Sequence, residues 1–238
     1  MTLILTSSEH MLLLGGEEKG HYLGHNYLFN LATQDFTQKT NIPEARVDFG
    51  SIYSSGSVFV VGGWREFYVT KADKYCIETD TWTSLETLND EREDVSLCIY
   101  EDKFLIAFGN VTTRGRRTKI PKKGGIDYTF ERMNLSEEDA KWEVVTVKTT
   151  FNEPEKLPPM KHMGCFNHYT NRHQIVIFGG YTTTSMSSRC FRIDMEKKEL
   201  SKDGHLTKPD KFTNNILFKK DELLYVVGEQ YMHFYDLA

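Results

Sequence analysis

The chain has 238 residues, 39 % hydrophobic and 13 % aromatic, with a formal net charge of −5 at pH 7. That is enough apolar material for one sizeable core or two small ones, and the negative balance gives no general attraction to nucleic acid or anionic membrane. No apolar run approaches the roughly 20 residues that cross a bilayer as a helix, so the expectation is a soluble globular protein.

In chain order, "MTLILTSSEHMLLLGG" has no positive n-region, and "TSSEH" interrupts its apolar residues, so it does not read as a secretory leader. It reads as a hairpin: two apolar segments around a short polar turn, ending on Gly15 and Gly16. A variable loop follows, then a strand, a polar turn and an aromatic in "YLFNLATQDFTQ", with Phe36 in the aromatic slot. The second unit repeats the plan. "GSIYSSGSVFVVGG" ends on Gly62 and Gly63, "WREFYVTKAD" is the loop, and "KYCIETDTWTSL" turns at Thr79-Asp80-Thr81 before Trp82. Asp and Thr suit that turn because their side chains bond nearby backbone groups.

The third hairpin, "SLCIYEDKFLIAF", closes on Gly109 and leads into the long loop "NVTTRGRRTKIPKKGGI", then "FERMNLSEEDAKWEVV" with Trp142. The fourth, "GCFNHYTNRHQIVIFGG", closes on Gly179 and Gly180, and Leu200 takes the aromatic slot in "CFRIDMEKKELSK". The fifth, "NILFKKDELLYVVG", closes on Gly228 and is followed by one more strand, "YMHFYDLA", without a fourth. The first glycines stand at 15, 62, 109, 179 and 228, at intervals of 47, 47, 70 and 49 residues. Such a period near 50 marks a blade array. In every unit the segment before the glycine is apolar at consecutive positions, which predicts a strand buried on both faces.

These features together resemble the kelch repeat of β-propellers: four strands per unit, glycines closing the second strand, and a turn plus aromatic before the fourth. Arg46 and Arg92 ahead of the next first strand support the resemblance, with Lys161 in that slot before the fourth unit. The resemblance implies an all-β propeller, and the five repeats place about five blades near 1–43, 44–91, 92–161, 162–209 and 210–238, the last incomplete, a departure from the six or seven usual in kelch propellers. It forms either a five-membered ring or part of a longer propeller. The glycines then serve close approach of neighbouring blades and φ > 0, and neither G-x-G-x-x-G nor a P-loop occurs.

Loops after the second strands and the segments between blades should share one face, and long varied loops on a rigid scaffold are where binding is expected. Kelch propellers commonly receive protein partners there, which implies a non-enzymatic interaction module without a cofactor. The candidate contacts are Trp64, Arg65 and Tyr181, of types enriched at binding hot spots, with Arg46, Arg92 and Lys161 at the rim. Those three cations could equally make structural bonds to loop carbonyls. Arg114, Arg116 and Arg117 of "RGRRTKIPKK" would face an acidic segment of the partner, or belong to a merely solvated loop.

The rival reading is a small-molecule-binding or catalytic propeller, galactose-oxidase-like, working through a pocket at the axis. His21 and His25 lie four apart but in a glycine-containing loop without the glutamate of H-E-x-x-H. Cys165 and His168 fall on opposite faces of a strand, so no metal site is expected. The four cysteines, Cys76, Cys98, Cys165 and Cys190, stand far apart, which favours a reducing compartment and a cytoplasmic location.

Overall fold

The computed structural model describes residues 2–111, 127–150, 163–167, 173–181, 185–210, 212, 216–220, 223–228 and 230–236. Every regular element among them is a strand, and none is a helix long and apolar enough to cross a membrane.

The strands form antiparallel meanders in chain order. The first unit holds β1 (Thr2–Leu5), β2 (His10–Leu14), β5 (Asn26–Asn30) and β6 (Phe36–Gln38), and the second β7 (Gly50–Ser54), β8 (Ser57–Val61), β11 (Ala72–Cys76) and β12 (Thr81–Leu85). The third holds β13 (Arg92–Tyr100), β14 (Phe104–Val111), β15 (Asp127–Asn134) and β16 (Trp142–Thr149). The fourth holds β17 (Gly164–Asn167), β18 (Gln174–Phe178), β19 (Arg189–Asp194) and β20 (Glu199–His205). A three-stranded unit of β21 (Ile216–Lys220), β22 (Leu223–Val227) and β23 (Met232–Asp236) follows.

Two features were not expected from sequence. Tiny hairpins, β3–β4 (Glu17–Glu18, His21–Tyr22) and β9–β10 (Trp64–Arg65, Phe67–Tyr68), decorate the loops after β2 and β8. The outer strands β16 and β20 also pair in parallel over two residues, fusing the third and fourth units into one eight-stranded sheet.

The core lies between units rather than within them. β8 is buried at all five positions, and its alternate side chains serve different neighbours. Val58 and Val60 join Leu12, Leu14, Phe49 and Tyr75 on the side of the first unit. Phe59 and Val61 join Val95, Leu97, Leu105 and Trp142 on the side of the third. β14 and β18 divide in the same way, with Ile106, Phe108, Ile175 and Ile177 in the cluster between the third and fourth units. Val176 and Phe178 pack with Phe212 and Val226 of the fifth. The inner strands β1, β7, β13 and β17 touch in that order. Units fanned about a common edge, each interface with its own core, are the arrangement of a β-propeller.

The glycines sit where neighbours approach. Gly62 has φ +67°, and a Cβ there would lie 2.7 Å from Val95 of the next unit; Gly63 has φ +106°, and its Cβ would lie 2.6 Å from the Val47 carbonyl oxygen. Gly15, Gly16, Gly109, Gly179 and Gly180 also have positive φ, whereas Gly228 is small because a Cβ would strike the Asp210 carboxylate. Gly50 and Gly164 were not anticipated: a Cβ on Gly50 would lie 2.8 Å from Val95, and one on Gly164 would collide with the Phe178 ring.

In the second and third units the aromatic slot binds the unit to the linker before it. Trp82 Nε1 donates to the Thr40 carbonyl and Trp142 Nε1 to the Glu86 carbonyl, each at 2.8 Å. Leu200 is fully buried, while Phe36 of the first unit stacks on Phe29 and stays 61 % exposed. Two residues before the slot, Gln34, Asp80 and Lys198 all take positive φ. Asp80 accepts from the Thr40 N–H at 2.9 Å and the Tyr75 hydroxyl at 2.6 Å, and the Tyr75 bond chiefly holds its carboxyl below the usual range.

Two outcomes follow. Gly63→Ala should lower stability in urea titration by about 2 kcal/mol or more, from strain plus a backbone clash. Gly20→Ala, with φ +80° but nothing within 4 Å, should cost only about 1 kcal/mol. A depressed carboxylate stabilises the fold above its unfolded pKa, about 3.9, and that contribution fades as pH falls through the lower folded value. Asp80→Asn, whose side chain tolerates positive φ, should therefore destabilise at pH 7, with the difference from wild type shrinking below about pH 4. A difference unchanged between pH 7 and pH 3 would contradict this.

Candidate functional site

Arg46 lies in the segment that leads into β7 and Arg92 is the first residue of β13, but neither reaches the rim. Both are fully buried. Arg46 donates to the Gly62 carbonyl at 3.0 Å, to the Glu44 carbonyl at 3.1 Å and to Asp73 Oδ2 at 2.7 Å. Arg92 donates to Glu131 Oε1 at 2.9 Å and the Gly109 carbonyl at 3.1 Å. Glu131 also receives the Asn89 N–H at 2.7 Å. Each guanidinium thus ties the carbonyl that closes a second strand to a carboxylate on the third. The expectation that these arginines contact a partner is corrected: they are interior braces, because the planar fork matches carbonyl and carboxylate together.

The carboxylates occupy one repeat position. Asp73 pairs with Val60 and Glu131 with Ala107, each two residues before the closing glycine. In the fifth unit the equivalent residue, opposite Val226, is His233. It meets buried Asp210, in the linker position, through Nε2 at 3.0 Å. There the acid comes from the linker and the base from the third strand. In the fourth unit the same position holds buried Phe191, opposite Ile177. Arg92→Met should cost about 3–5 kcal/mol by stranding Glu131. Adding Glu131→Met should restore much of that loss, as read by a denaturant double-mutant cycle.

In the second unit the linker before β7 meets the loop after β8. Val47 and Trp64 exchange backbone hydrogen bonds at 3.0 and 2.7 Å, which anchors the β9–β10 hairpin to the linker. Trp64 is half-buried, its ring edge-on to Tyr68 at 4.8 Å. Arg65 and Phe67 are exposed, Phe67 by 49 %. Arg65 lies 3.3 Å from Glu44, which also meets Lys71; the Lys71 bond chiefly depresses the Glu44 carboxyl, with Arg46 and Arg65 adding to it.

Beside this hairpin lies a cavity of about 260 Å³ lined by Asp48, Gly63, Trp64, Tyr68 and Asp94. Tyr181 stands apart in the fourth unit, 37 % exposed and bridged to Met186. Lys161, Arg114, Arg116 and Arg117 lie outside the described residues. Sequence reasoning passed over Phe67, Tyr68, Asp48 and Asp94. The available signal was a repeated R-x-D, Arg46-Val47-Asp48 and Arg92-Glu93-Asp94, whose aspartates both take positive φ.

His21 is exposed on β4, and His25 packs edge-on to Tyr27 at 5.7 Å. Cys165 is buried on β17, and His168 lies outside the described residues. Among the described residues no group of three His, Cys, Asp or Glu is placed to hold a metal.

Residues 45–89 match the family described as the Kelch motif, a span that contains β7 to β12, the whole second unit. No curated protein matches the chain.

Proposed function

From the Kelch motif matched over residues 45–89, in the second unit, we propose a non-enzymatic interaction module that holds another protein against the long-loop face. The observation that carries the reading is the β9–β10 hairpin. It places Trp64, Arg65, Phe67 and Tyr68 together at the surface, on a linker fixed by backbone bonds. Large aromatics and arginine on a pre-set backbone lose little entropy on binding.

The scaffold, in this reading, is a five-bladed ring with blades near 1–43, 44–91, 92–161, 162–209 and 210–238. The four inter-unit cores support five blades in succession, and a closed ring adds a fifth interface between the last blade and the first. Tyr181 extends the contact surface to the fourth blade. The basic stretch around Arg114, Arg116 and Arg117 would meet an acidic part of the partner, and Lys161 would add a cation at the rim; both elements rest on sequence alone.

Affinity purification of the intact chain should recover a specific protein partner. Phe67→Ala and Arg65→Ala should together weaken capture at least tenfold with the thermal midpoint nearly unchanged, since both side chains are exposed. Neutralising Arg114, Arg116 and Arg117 should weaken capture mainly at low salt and flatten its salt dependence. Capture indifferent to all five changes would refute the assignment of this face.

A further inference from the structure

We propose that Cys98 and Cys165 form a reversible disulfide that staples the inner strands of the third and fourth units. The site lies away from the β9–β10 hairpin and does not depend on the interaction reading above.

The two strands are laced together by their side chains. β13 and β17 pass within 8 Å of each other, Cα to Cα. Ser96 Oγ donates to the Met163 carbonyl at 2.5 Å, and Asn167 Nδ2 donates to the Ile99 carbonyl. Between these two bonds lie the thiols, one from each strand. Cys165 Sγ donates to the Leu97 carbonyl at 3.2 Å, and Cys98 Sγ donates to Asn167 Oδ1 at 3.2 Å. Each sulfur thus reaches across the gap towards the segment that carries the other. Both are buried in one core cluster and in contact with each other, and both rest as thiols.

The repeat explains why they face. Cys98 pairs with Ile106, three residues before Gly109, and Cys165 with Ile177, two before Gly179. Alternation along an inner strand sends the first kind of position towards the next unit and the second kind back to the preceding one. Between the second and third units the same two positions hold Ile52 and Leu97, opposite Phe59 and Ala107, and they pack in one core. Where that interface sets two hydrocarbons together, the next sets two sulfurs. Cysteine fills such a space as a small apolar residue, but a facing pair can also be joined.

Oxidation by a peroxide runs in two balanced steps. One thiol loses its proton and attacks a peroxide oxygen, giving a sulfenic acid and one water. The second thiol displaces the sulfenic oxygen, forming the S–S bond and releasing a second water. Two electrons pass from the sulfur pair to hydrogen peroxide, and a dithiol reductant returns them. The Cys165 contact and burial together hold the Cys98 thiol well above the usual range. Little thiolate is then present at neutral pH, so oxidation is slow and waits on opening of the interface. The bond encloses β14, β15 and β16, a long loop of the kind whose closure restricts the unfolded chain. Units already bridged at their outer edge by β16 and β20 become fastened at the inner edge as well.

The full chain is treated with excess hydrogen peroxide, unfolded, alkylated, digested and mapped by mass spectrometry. The expected product joins the Cys98 and Cys165 peptides, lacks two hydrogens, and disappears on treatment with dithiothreitol. The thermal midpoint of the oxidised chain should rise by about 5–10 °C. Cys98→Ala and Cys165→Ala should each abolish the rise, while Cys76→Ala and Cys190→Ala keep it. If the first two variants do not fold, the peptide map of the unaltered chain decides. Recovery of both cysteines alkylated after oxidation, or joined to other cysteines, would overturn the inference, and so would a joined pair that leaves the midpoint unmoved. The interaction face would stand in each of those cases.

Discussion

The structure depends on a strand that has no solvent side. β8, β14 and β18 each sit second in their units with every alternate side chain committed to a different neighbour. A unit alone would leave one or both of those faces in water. Burying each such Val, Ile or Phe is worth roughly 1.5–3 kcal/mol, so folding of one unit is tied to the presence of the next. Neighbouring central strands can come close enough only if the chain beside them is thin, which is why glycine recurs where each second strand ends. It recurs also at Gly50 and Gly164 on the inner strands. The packing demands both consecutive apolar residues and missing side chains, and neither alone would make the fan.

Within that frame the buried ionic braces fix where each linker returns. Arg46 and Arg92 hold carbonyls at the close of the second strand, and Asp73 and Glu131 hold the arginines. A buried pair of this kind adds little net stability over an apolar isostere. Its contribution is positional: the carbonyl and the carboxylate that each guanidinium grips fix the arrangement of linker, second strand and third strand. The fifth unit keeps the geometry while exchanging acid and base, as Asp210 and His233, and the fourth puts Phe191 in the same place. A slot that accepts Arg–Asp, Arg–Glu, Asp–His or phenylalanine is defined by its space and its need for internal satisfaction, not by one charge.

How legible this was in the sequence depends on the kind of signal. The repeat, the double-sided strand, the closing glycines and the tryptophan slot all follow local periodicity, and β8 is double-sided as the pattern puts it, whereas β2 buries only Leu12 and Leu14. The direction of Arg46 and Arg92 did not follow. An arginine at a blade boundary reads as surface by composition, and only the acid two residues before a glycine on another strand's register reveals that it turns inward. That acid is aspartate in one unit and glutamate in the next, 27 and 39 residues away, so no short motif marks it. Phe67, Tyr68 and Asp48 were missed for a related reason. A two-residue hairpin inside a variable loop has no periodicity to read, and its significance comes from what Val47 does across the gap.

These two failures point the same way. The residues that looked most chemical, the boundary arginines, are consumed in holding the scaffold. The aspartates two positions after each arginine, Asp48 and Asp94, both take positive φ. Turning an arginine inward requires the chain to reverse within a few residues, and that reversal presents the aspartates beside the loop of the preceding unit. The brace and the placing of these aspartates are thus two consequences of one local bend, and beside the Trp64–Tyr68 hairpin both aspartates line one recess with Gly63 and the two rings.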